Sequence, residues 1–283
     1  MNFKQNIFKS VILLLTIGLG FNSCQKLERP VLKELILDPP PPPLTFFDEK
    51  SYWPFDVNTR DTGAYKLETT AKGVTFTPGV TDGQAAQIGS GGYLLISNLN
   101  DGLKQPGSLS VAFWMKGVGP VKDGAQGVFA IANNAEFWGN FEMFLENDDN
   151  GDEAFLKLHM FNSGAPDGKG EQWNEIKIPD ALNKWTHIAV TYDAATSQLT
   201  MYANGQPTAI NHKVLDGGNY GPLKFANVSG MVLGSYAFQT NPSLTTHGPE
   251  SWAKSFNGAL DQFRIYNTPL SAAEVNNLYT KKL

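Results

Sequence analysis

Residues 184–205 read KWTHIAVTYDAATSQLTMYANG and contain two short runs in which apolar and polar side chains alternate. The first run covers residues 186–192 and the second covers residues 198–203. Alternation with a period of two is typical of a β-strand that buries one face. The second run leads directly into Asn204-Gly205, a pair that accepts the positive φ angles of a two-residue hairpin turn. This segment therefore predicts antiparallel β-structure.

The same alternation recurs along the chain, at residues 110–115, 141–146 and 155–161. No regular succession of strand, helix and strand accompanies these runs, which favours an antiparallel sandwich or barrel. The one clear helix signal is C-terminal, where Ser271 and Glu274 have the spacing of a capping box. The sequence predicts an all-β fold with a short helix after Ser271.

The composition agrees with a folded β-rich chain, since 41% of the 283 residues are apolar, 12% are aromatic and only 17% are charged. These values exclude a disordered chain and a coiled coil. The formal net charge is −5, and no basic stripe is present to neutralise phosphates, so nucleic acid is not an expected partner.

The N-terminal segment is predicted to be a targeting signal. Lys4 and Lys9 precede a short apolar run over residues 11–19, which is too short to span a bilayer, where about 20 residues are needed. The run is followed by Cys24, the only cysteine in the chain. This arrangement resembles the lipobox of bacterial lipoproteins, in a loose form that is usual in Bacteroidota. The alternative is an ordinary signal peptide with an incidental cysteine.

The resemblance implies a signal peptide over residues 1–23 and an acylated Cys24. It also implies a bacterial membrane lipoprotein, which we expect at the outer membrane and facing the periplasm or the cell surface. Residues 24–45 are predicted to form a tether, because Pro39 to Pro43 are five consecutive prolines. Such a run favours polyproline II, at about 3.1 Å per residue. Residues 46–283 form the predicted globular domain.

Several motifs of this domain are similar, in order along the chain, to those of the laminin-G-like domains of the concanavalin A-like lectin and glucanase superfamily. They are WPFD at residues 53–56 with DTG at 61–63, GYLLI at 92–96, SVAFWMK at 110–116, the hairpin described above, and FNGALDQFRIY at 256–266. The resemblance implies a two-sheet antiparallel jelly-roll sandwich. Domains of this family mostly bind glycans or proteins.

No catalytic residue is assigned. Laminarinase-type glucanases of the superfamily carry a Glu-x-Asp-x-x-Glu pattern on a strand, and the nearest stretch here begins with Glu146 and Asp148 but has Gly151 in place of the last glutamate. The histidines are scattered and fit no metalloprotease or serine-hydrolase motif. We therefore expect a binding domain, with a glycoside hydrolase as the least favoured alternative.

Calcium is a possible structural cofactor, because this ion prefers six to eight oxygen ligands, several of them carboxylates. One candidate set is Asp56, Asp61 and Asp261, which lie in the first and last family motifs. A second set, Asp148, Asn150 and Asp152, has the spacing of the first half of an EF-hand loop. The alternatives are an Asx turn at Asp61 and an ordinary solvated hairpin tip at residues 148–152.

Sugar-binding proteins stack the apolar face of a sugar ring on an exposed aromatic side chain. Five aromatic residues lie outside the family framework and are candidates for such a role: Trp138, Trp173, Tyr220, Tyr236 and Trp252. The favoured hypothesis is a membrane-anchored, non-catalytic protein that binds a polysaccharide or glycan. A module that binds other surface proteins is the second hypothesis.

Overall fold

The computed structural model describes residues 49–282, and these residues contain fourteen β-strands and two α-helices. The predicted signal peptide (1–23), the lipidation site Cys24 and the tether (24–45) lie outside the described residues. The strands are β1 (Ser51–Trp53), β2 (Thr70–Pro78), β3 (Gln84–Ile96), β4 (Leu109–Gly117), β5 (Ala125–Asn133), β6 (Phe141–Leu145), β7 (Ala154–Phe161), β8 (Glu171–Ile178), β9 (Thr186–Asp193), β10 (Gln198–Ala203), β11 (Gln206–Val214), β12 (Val228–Leu233), β13 (Ala253–Ser255) and β14 (Gly258–Tyr266). The helices are α1 (Asp101–Lys104) and α2 (Ala272–Lys281).

The strands follow the order β11-β10-β9-β4-β14-β3-β12-β5-β6-β7-β8 through continuous hydrogen bonding. Strand β3 links two halves of this order, since residues 86–88 pair with β14 and residues 94–96 pair with β12. The Phe113 ring on β4 lies 5.9 Å from the Phe129 ring on β5, although these strands are not neighbours in the order. The two halves therefore face each other as a sandwich, with strands β9, β4 and β14 in the first sheet and β12 and β5 to β8 in the second.

The alternation in the sequence determines which side chains fill the space between the sheets. On β6, Phe141, Met143 and Leu145 are buried in the main core. Glu142 and Phe144 therefore point to the outward face of the second sheet, because successive side chains of a strand point to opposite sides. The predicted strand runs are confirmed, and Asn204 and Gly205 have the expected positive φ angles of 49° and 76°.

Helix α2 covers the outward face of the first sheet. Its predicted capping box is confirmed, since the Glu274 amide donates to Ser271 Oγ and the Ser271 amide donates to the Glu274 carboxylate. Val275 and Leu278 on the helix pack with Ala112 of β4 and Ala189 of β9 in a cluster separate from the main core. No helix among residues 49–282 has the length and apolar character needed to cross a membrane.

Candidate functional site

The outward face of the second sheet presents a row of chemically distinct side chains. Strand register places Glu142 of β6 opposite His159 of β7, and His159 opposite Trp173 of β8. Directly opposite residues on one face of an antiparallel sheet are in contact distance of each other. The row therefore runs from a buried carboxyl group, through an imidazole, to a tryptophan that is 41% exposed.

Three loops add aromatic rings to this face. Phe137 and Trp138 come from the β5–β6 connection, Tyr236 and Phe238 follow β12, and Trp252 directly precedes β13. We call these five residues, together with Phe144 and Trp173 on the strands, the aromatic cluster. Each ring of the cluster contacts at least one other ring of the cluster.

Trp138 occupies the centre of the aromatic cluster. Its ring is perpendicular to that of Trp173 at a centroid distance of 5.0 Å, and it stacks on Phe144 at 5.7 Å. Trp252 lies 6.1 Å from Trp138 and 5.6 Å from Tyr236. Perpendicular and offset arrangements at these distances are favourable contacts between aromatic rings. Trp173 and Trp252 each keep about two fifths of their surface exposed, at 41% and 39%.

Local sequence features hold the loops in place. The Asn140 side chain accepts from the Ala226 amide and donates to the carbonyl groups of Ala132 and Ala226. On β5, a Cβ atom at Gly127 would lie 2.4 Å from the Tyr236 nitrogen. Only glycine therefore allows the backbone before Tyr236 to lie directly on the sheet.

A pocket of about 230 Å³ opens beside the aromatic cluster. Three aromatic side chains, two carboxylates, an imidazole and an amide line it, namely Phe137, Trp138, Phe161, Glu136, Glu171, His159 and Asn133. This combination of apolar faces and convergent polar groups is typical of a small-molecule site.

His159 connects this pocket to the sheet. Its Nδ1 atom lies 2.8 Å from the Gly139 carbonyl oxygen, and its Nε2 atom lies 3.3 Å from Glu171 Oε1. Burial lowers the pKa of His159, and the Gly139 carbonyl and the Glu171 carboxylate act in the opposite direction. Glu171 Oε1 also accepts a hydrogen bond from Trp173 Nε1 at 3.2 Å, which fixes the exposed tryptophan against the pocket.

Glu142 is the most unusual group on this face. It is 1% exposed, and neither carboxyl oxygen has a hydrogen-bond partner in the described part of the chain. Burial raises the pKa of Glu142 to about 8, and the Gly139 backbone opposes this in part. The carboxyl group is therefore neutral near pH 7. Its negative form would also raise the pKa of the buried Tyr236 phenol.

The structure brings together four of the five aromatic residues that the sequence suggested. Trp138, Trp173, Tyr236 and Trp252 belong to the aromatic cluster, although Tyr236 is only 1% exposed. Tyr220 does not, because it is fully buried in the main core, where its hydroxyl donates to the Gly170 carbonyl. Its proposed ligand contact is therefore wrong, and its ring packs against Tyr192 instead.

Sequence reasoning missed several members of this site. Phe144, His159 and Glu142 stand on predicted strands, so the period-two alternation already placed them opposite the core. No pattern in the sequence predicts that Phe137, Phe238 and Glu171 belong to this site, because their positions depend on loop conformation and on which strands are neighbours.

The first predicted calcium set is only partly brought together. Asp56 and Asp261 both approach the β2–β3 turn, since a Cβ atom at Gly83 would overlap Asp56 Oδ1 and one at Gly79 would lie 2.7 Å from Asp261 Oδ2. Asp261 Oδ1 is buried and has no hydrogen-bond partner within residues 49–282, which leaves one oxygen for a ligand. Asp61 does not fit, because its oxygens accept from the amides of Tyr52, Gly63 and Leu67.

The second predicted set is engaged elsewhere. Asp148 pairs with Lys177 at 2.7 Å, the Asn150 amide donates to Glu153, and Asp152 accepts from Asn183. Among residues 49–282 no group of three or more His, Cys, Asp or Glu side chains is arranged to hold a metal ion. Two carboxylates supply at most four of the six to eight oxygens that calcium prefers. Structural calcium thus stays a prediction, at Asp56 and Asp261.

A larger pocket, of about 440 Å³, has a different character. Its lining residues are Ser90, Gly91, Asp123, Gln126, Gln239, Ala253, Lys254, Ser255 and Asn257. None of these carries an aromatic ring on which a sugar could stack. We therefore regard the smaller aromatic pocket as the better candidate site despite its size.

Comparison with known families assigns residues 88–276 to the laminin G family described as the concanavalin A-like lectin/glucanases superfamily. The chain belongs to this family. This assignment confirms the all-β antiparallel sandwich that the sequence motifs implied. A comparison with functionally characterised sequences found no match.

Solved structures with the same fold include toxin binding domains. The binding domain of botulinum neurotoxin DC in complex with SialylT has a TM-score of 0.55 and 15% identity, covering 83% of this chain and 52% of the toxin domain. The binding domain of Paraclostridial Mosquitocidal Protein 1 has a TM-score of 0.58 and 16% identity, over 82% of this chain and 51% of the other. The chain thus spans about half the length of these domains.

A third similar structure is closer in size. Domain 4 of AbnA, a GH43 extracellular arabinanase from Geobacillus stearothermophilus, in complex with arabinotriose, has a TM-score of 0.52 and 20% identity. The match covers 82% of this chain and 98% of the arabinanase domain. At these identities the likeness establishes the fold alone.

Proposed function

We propose that this chain is a membrane-anchored, non-catalytic protein that binds a glycan at the aromatic cluster. The observation that carries the proposal is Trp138, whose ring borders a pocket lined with carboxylate, imidazole and amide groups and stands perpendicular to the neighbouring, exposed Trp173 ring. A sugar has an apolar face and a polar rim. Aromatic faces match the former and hydrogen-bonding side chains match the latter.

A binding role is favoured over hydrolysis. A glycoside hydrolase places two carboxyl groups on either side of the scissile bond, at about 5–10 Å from each other. Glu142, with its raised pKa, has the protonation state of a general acid, but it is 1% exposed and is covered by the loop at Gly139. A carboxyl group that a substrate does not reach cannot donate its proton to a glycosidic oxygen.

The membrane anchor rests on the sequence. Cys24 follows an apolar run of lipoprotein type. The five consecutive prolines further along the chain are suitable for a stiff spacer between membrane and domain. We place the protein at the outer membrane of a bacterium of Bacteroidota type. More than one acyl chain on Cys24 would give firm attachment, because a single chain gives only marginal binding.

The proposal predicts that Trp173→Ala weakens glycan binding. The full chain, purified in detergent, is screened on a glycan array and by affinity electrophoresis, and the retained polysaccharide is used for titration. Loss of a central stacking ring is expected to reduce affinity about tenfold or more. Phe76→Ala is the matched control, because Phe76 on β2 is equally exposed at 39% but lies outside the aromatic cluster.

Retention by no glycan would contradict the proposal, as would equal affinities of the Trp173→Ala and Phe76→Ala variants. Binding of a surface protein through Trp173, with no glycan retained, would instead support the second hypothesis, a protein-interaction module.

A further inference from the structure

We propose that the pocket beside Trp138 binds a sugar residue that carries a positively charged amine, in preference to a neutral or acidic sugar. This inference rests on the proposed glycan-binding function and specifies its ligand class. Three features of the pocket support it: the sign of its charged groups, the position of its aromatic faces, and the buried carboxyl group next to it.

The charged side chains that line the pocket are Glu136 and Glu171, and its lining includes no lysine or arginine. Glu171 is held in place by His159 and Trp173, and one of its oxygens makes both of these contacts. Its other carboxylate oxygen has no protein donor in the described part of the chain. An ammonium group within the pocket would therefore meet an oriented carboxylate, and charge-assisted hydrogen bonds of this kind are among the strongest.

The basic side chains near this face are engaged away from the pocket. Lys157 pairs with Glu146 at 2.7 Å, and Lys177 pairs with Asp148 at 2.7 Å. Lys213 Nζ lies 3.5 Å from the Trp173 carbonyl oxygen, and Lys213 does not line the pocket. The electrostatic potential in the pocket is consequently dominated by the negative carboxylates of Glu136 and Glu171.

The aromatic side chains of the pocket suit a cation as well as a sugar face. Phe137, Trp138 and Phe161 all line it. The face of an aromatic ring attracts a cation through its quadrupole, and tryptophan does so most strongly. A protonated amino sugar can place its ring on one aromatic face and its ammonium group between a second face and a carboxylate.

Glu142 provides an independent observation. It projects from the same outward face as His159, one strand away, and both of its carboxyl oxygens are buried without a hydrogen-bond partner among the residues that the structure describes. A buried carboxyl group without a partner is costly, and a positive charge in the adjacent pocket would stabilise its ionised form. An anionic sugar would instead face the two carboxylates that line the pocket, Glu136 and Glu171.

The test compares three oligosaccharides of equal length, made of glucosamine, of N-acetylglucosamine and of a uronic acid. Binding to the full chain in detergent is measured by calorimetry at a mildly acidic pH at which the amines are protonated. We expect the glucosamine oligomer to bind about tenfold more tightly than the acetylated one. We expect the uronic acid oligomer to bind most weakly, and the preference to decrease with added salt.

Two variants locate the preference. The double variant Glu136→Gln plus Glu171→Gln keeps the size of both side chains. In this variant, the ratio of the affinity for the glucosamine oligomer to that for the N-acetylglucosamine oligomer is expected to fall close to one. Glu175→Gln is the matched control, because Glu175 lies on the same strand as Glu171 but does not line the pocket. An unchanged ratio in the double variant would overturn the assignment of the two carboxylates.

The outcomes separate this inference from the proposed function. If the chain binds glycans on the glycan array but binds the glucosamine oligomer no better than the N-acetylglucosamine and uronic acid oligomers, the preference for an amine is wrong and the glycan-binding function stands. If no glycan is retained at all, the proposed function fails. An oligolysine peptide that binds as tightly as the glucosamine oligomer would show that the pocket recognises positive charge without a sugar ring. This result would overturn the assignment of an amino sugar as the ligand.

Discussion

At the scale of single residues, Glu142 combines burial with ionisable chemistry. Burial destabilises the charged form of this carboxyl group, which has no hydrogen-bond partner among residues 49–282, and raises its pKa to about 8. Tyr236, Ala130 and Gly139 surround it with groups that carry no positive charge. The residue therefore makes the stability of the fold depend on pH.

We predict that Glu142→Gln stabilises the protein increasingly as the pH rises from about 4.5 to about 8. In this range the unfolded chain loses the Glu142 proton while the folded chain retains it, because the pKa is raised from 4.5 to about 8. The wild type thus loses stability across this interval, and the variant does not. The difference is at most roughly 5 kcal/mol, from 1.36 kcal/mol per pKa unit.

Denaturant unfolding at a series of pH values measures this difference. Glu68→Gln is the control, because Glu68 is exposed and its substitution should leave the pH profile unchanged. Parallel profiles for the wild type and the Glu142→Gln variant would show that the carboxyl group is already ionised and paired in the folded state.

At the scale of elements, the two outward faces of the sandwich have different covers. Helix α2 packs Val275 and Leu278 on the first sheet, and Tyr279 stacks on Trp114 at 5.6 Å. The second sheet is covered by loops, in which Tyr236 and Phe238 are buried but Phe137, Trp138 and Trp252 remain partly exposed. One outward face is thus covered by a helix, whereas the other keeps aromatic side chains exposed to solvent.

The capping box of α2 is predicted to contribute measurably to stability. Ser271→Ala removes the side-chain acceptor for the Glu274 amide and should lower the free energy of unfolding by about 1 kcal/mol. Ser271→Asp is the matched control, since aspartate is an equally good N-cap. Chemical denaturation measures the free energy of unfolding of the wild type and the two variants. An equal loss of stability in Ser271→Ala and Ser271→Asp would indicate that the Ser271 hydroxyl does not act as an N-cap acceptor.

At the scale of the whole molecule, the proposed lipid anchor at Cys24 would determine where the domain works. We predict that Cys24→Ala releases the protein from the membrane fraction without changing the fold, because no other residue can accept the thioether-linked lipid. Cell fractionation with an antibody and metabolic labelling with palmitate give the readout. Ser23→Ala serves as the neighbouring control. Palmitate label on the Cys24→Ala variant would contradict the lipoprotein assignment.

Several features of the molecule followed from the sequence alone. The strands of residues 186–192 and 198–203, the turn at Asn204-Gly205 and the capping box at Ser271 are local, because they depend on alternation, positive φ and the spacing of two side chains. The order of family motifs then determined the sandwich. Alternation also determined that Glu142 and His159 face away from the core.

Only the tertiary structure decided which aromatic residues form a site. The sequence does not distinguish Tyr220 from Trp173, because both lie outside the family motifs. In the structure, Tyr220 is fully buried and Trp173 is 41% exposed. Trp138, Trp173 and Trp252 are distant along the chain. They meet because of strand register, the loop held by Asn140, and the close approach of the Tyr236 backbone to Gly127 on β5. Contacts of this kind depend on the packing of the whole sandwich, so no local pattern encodes them.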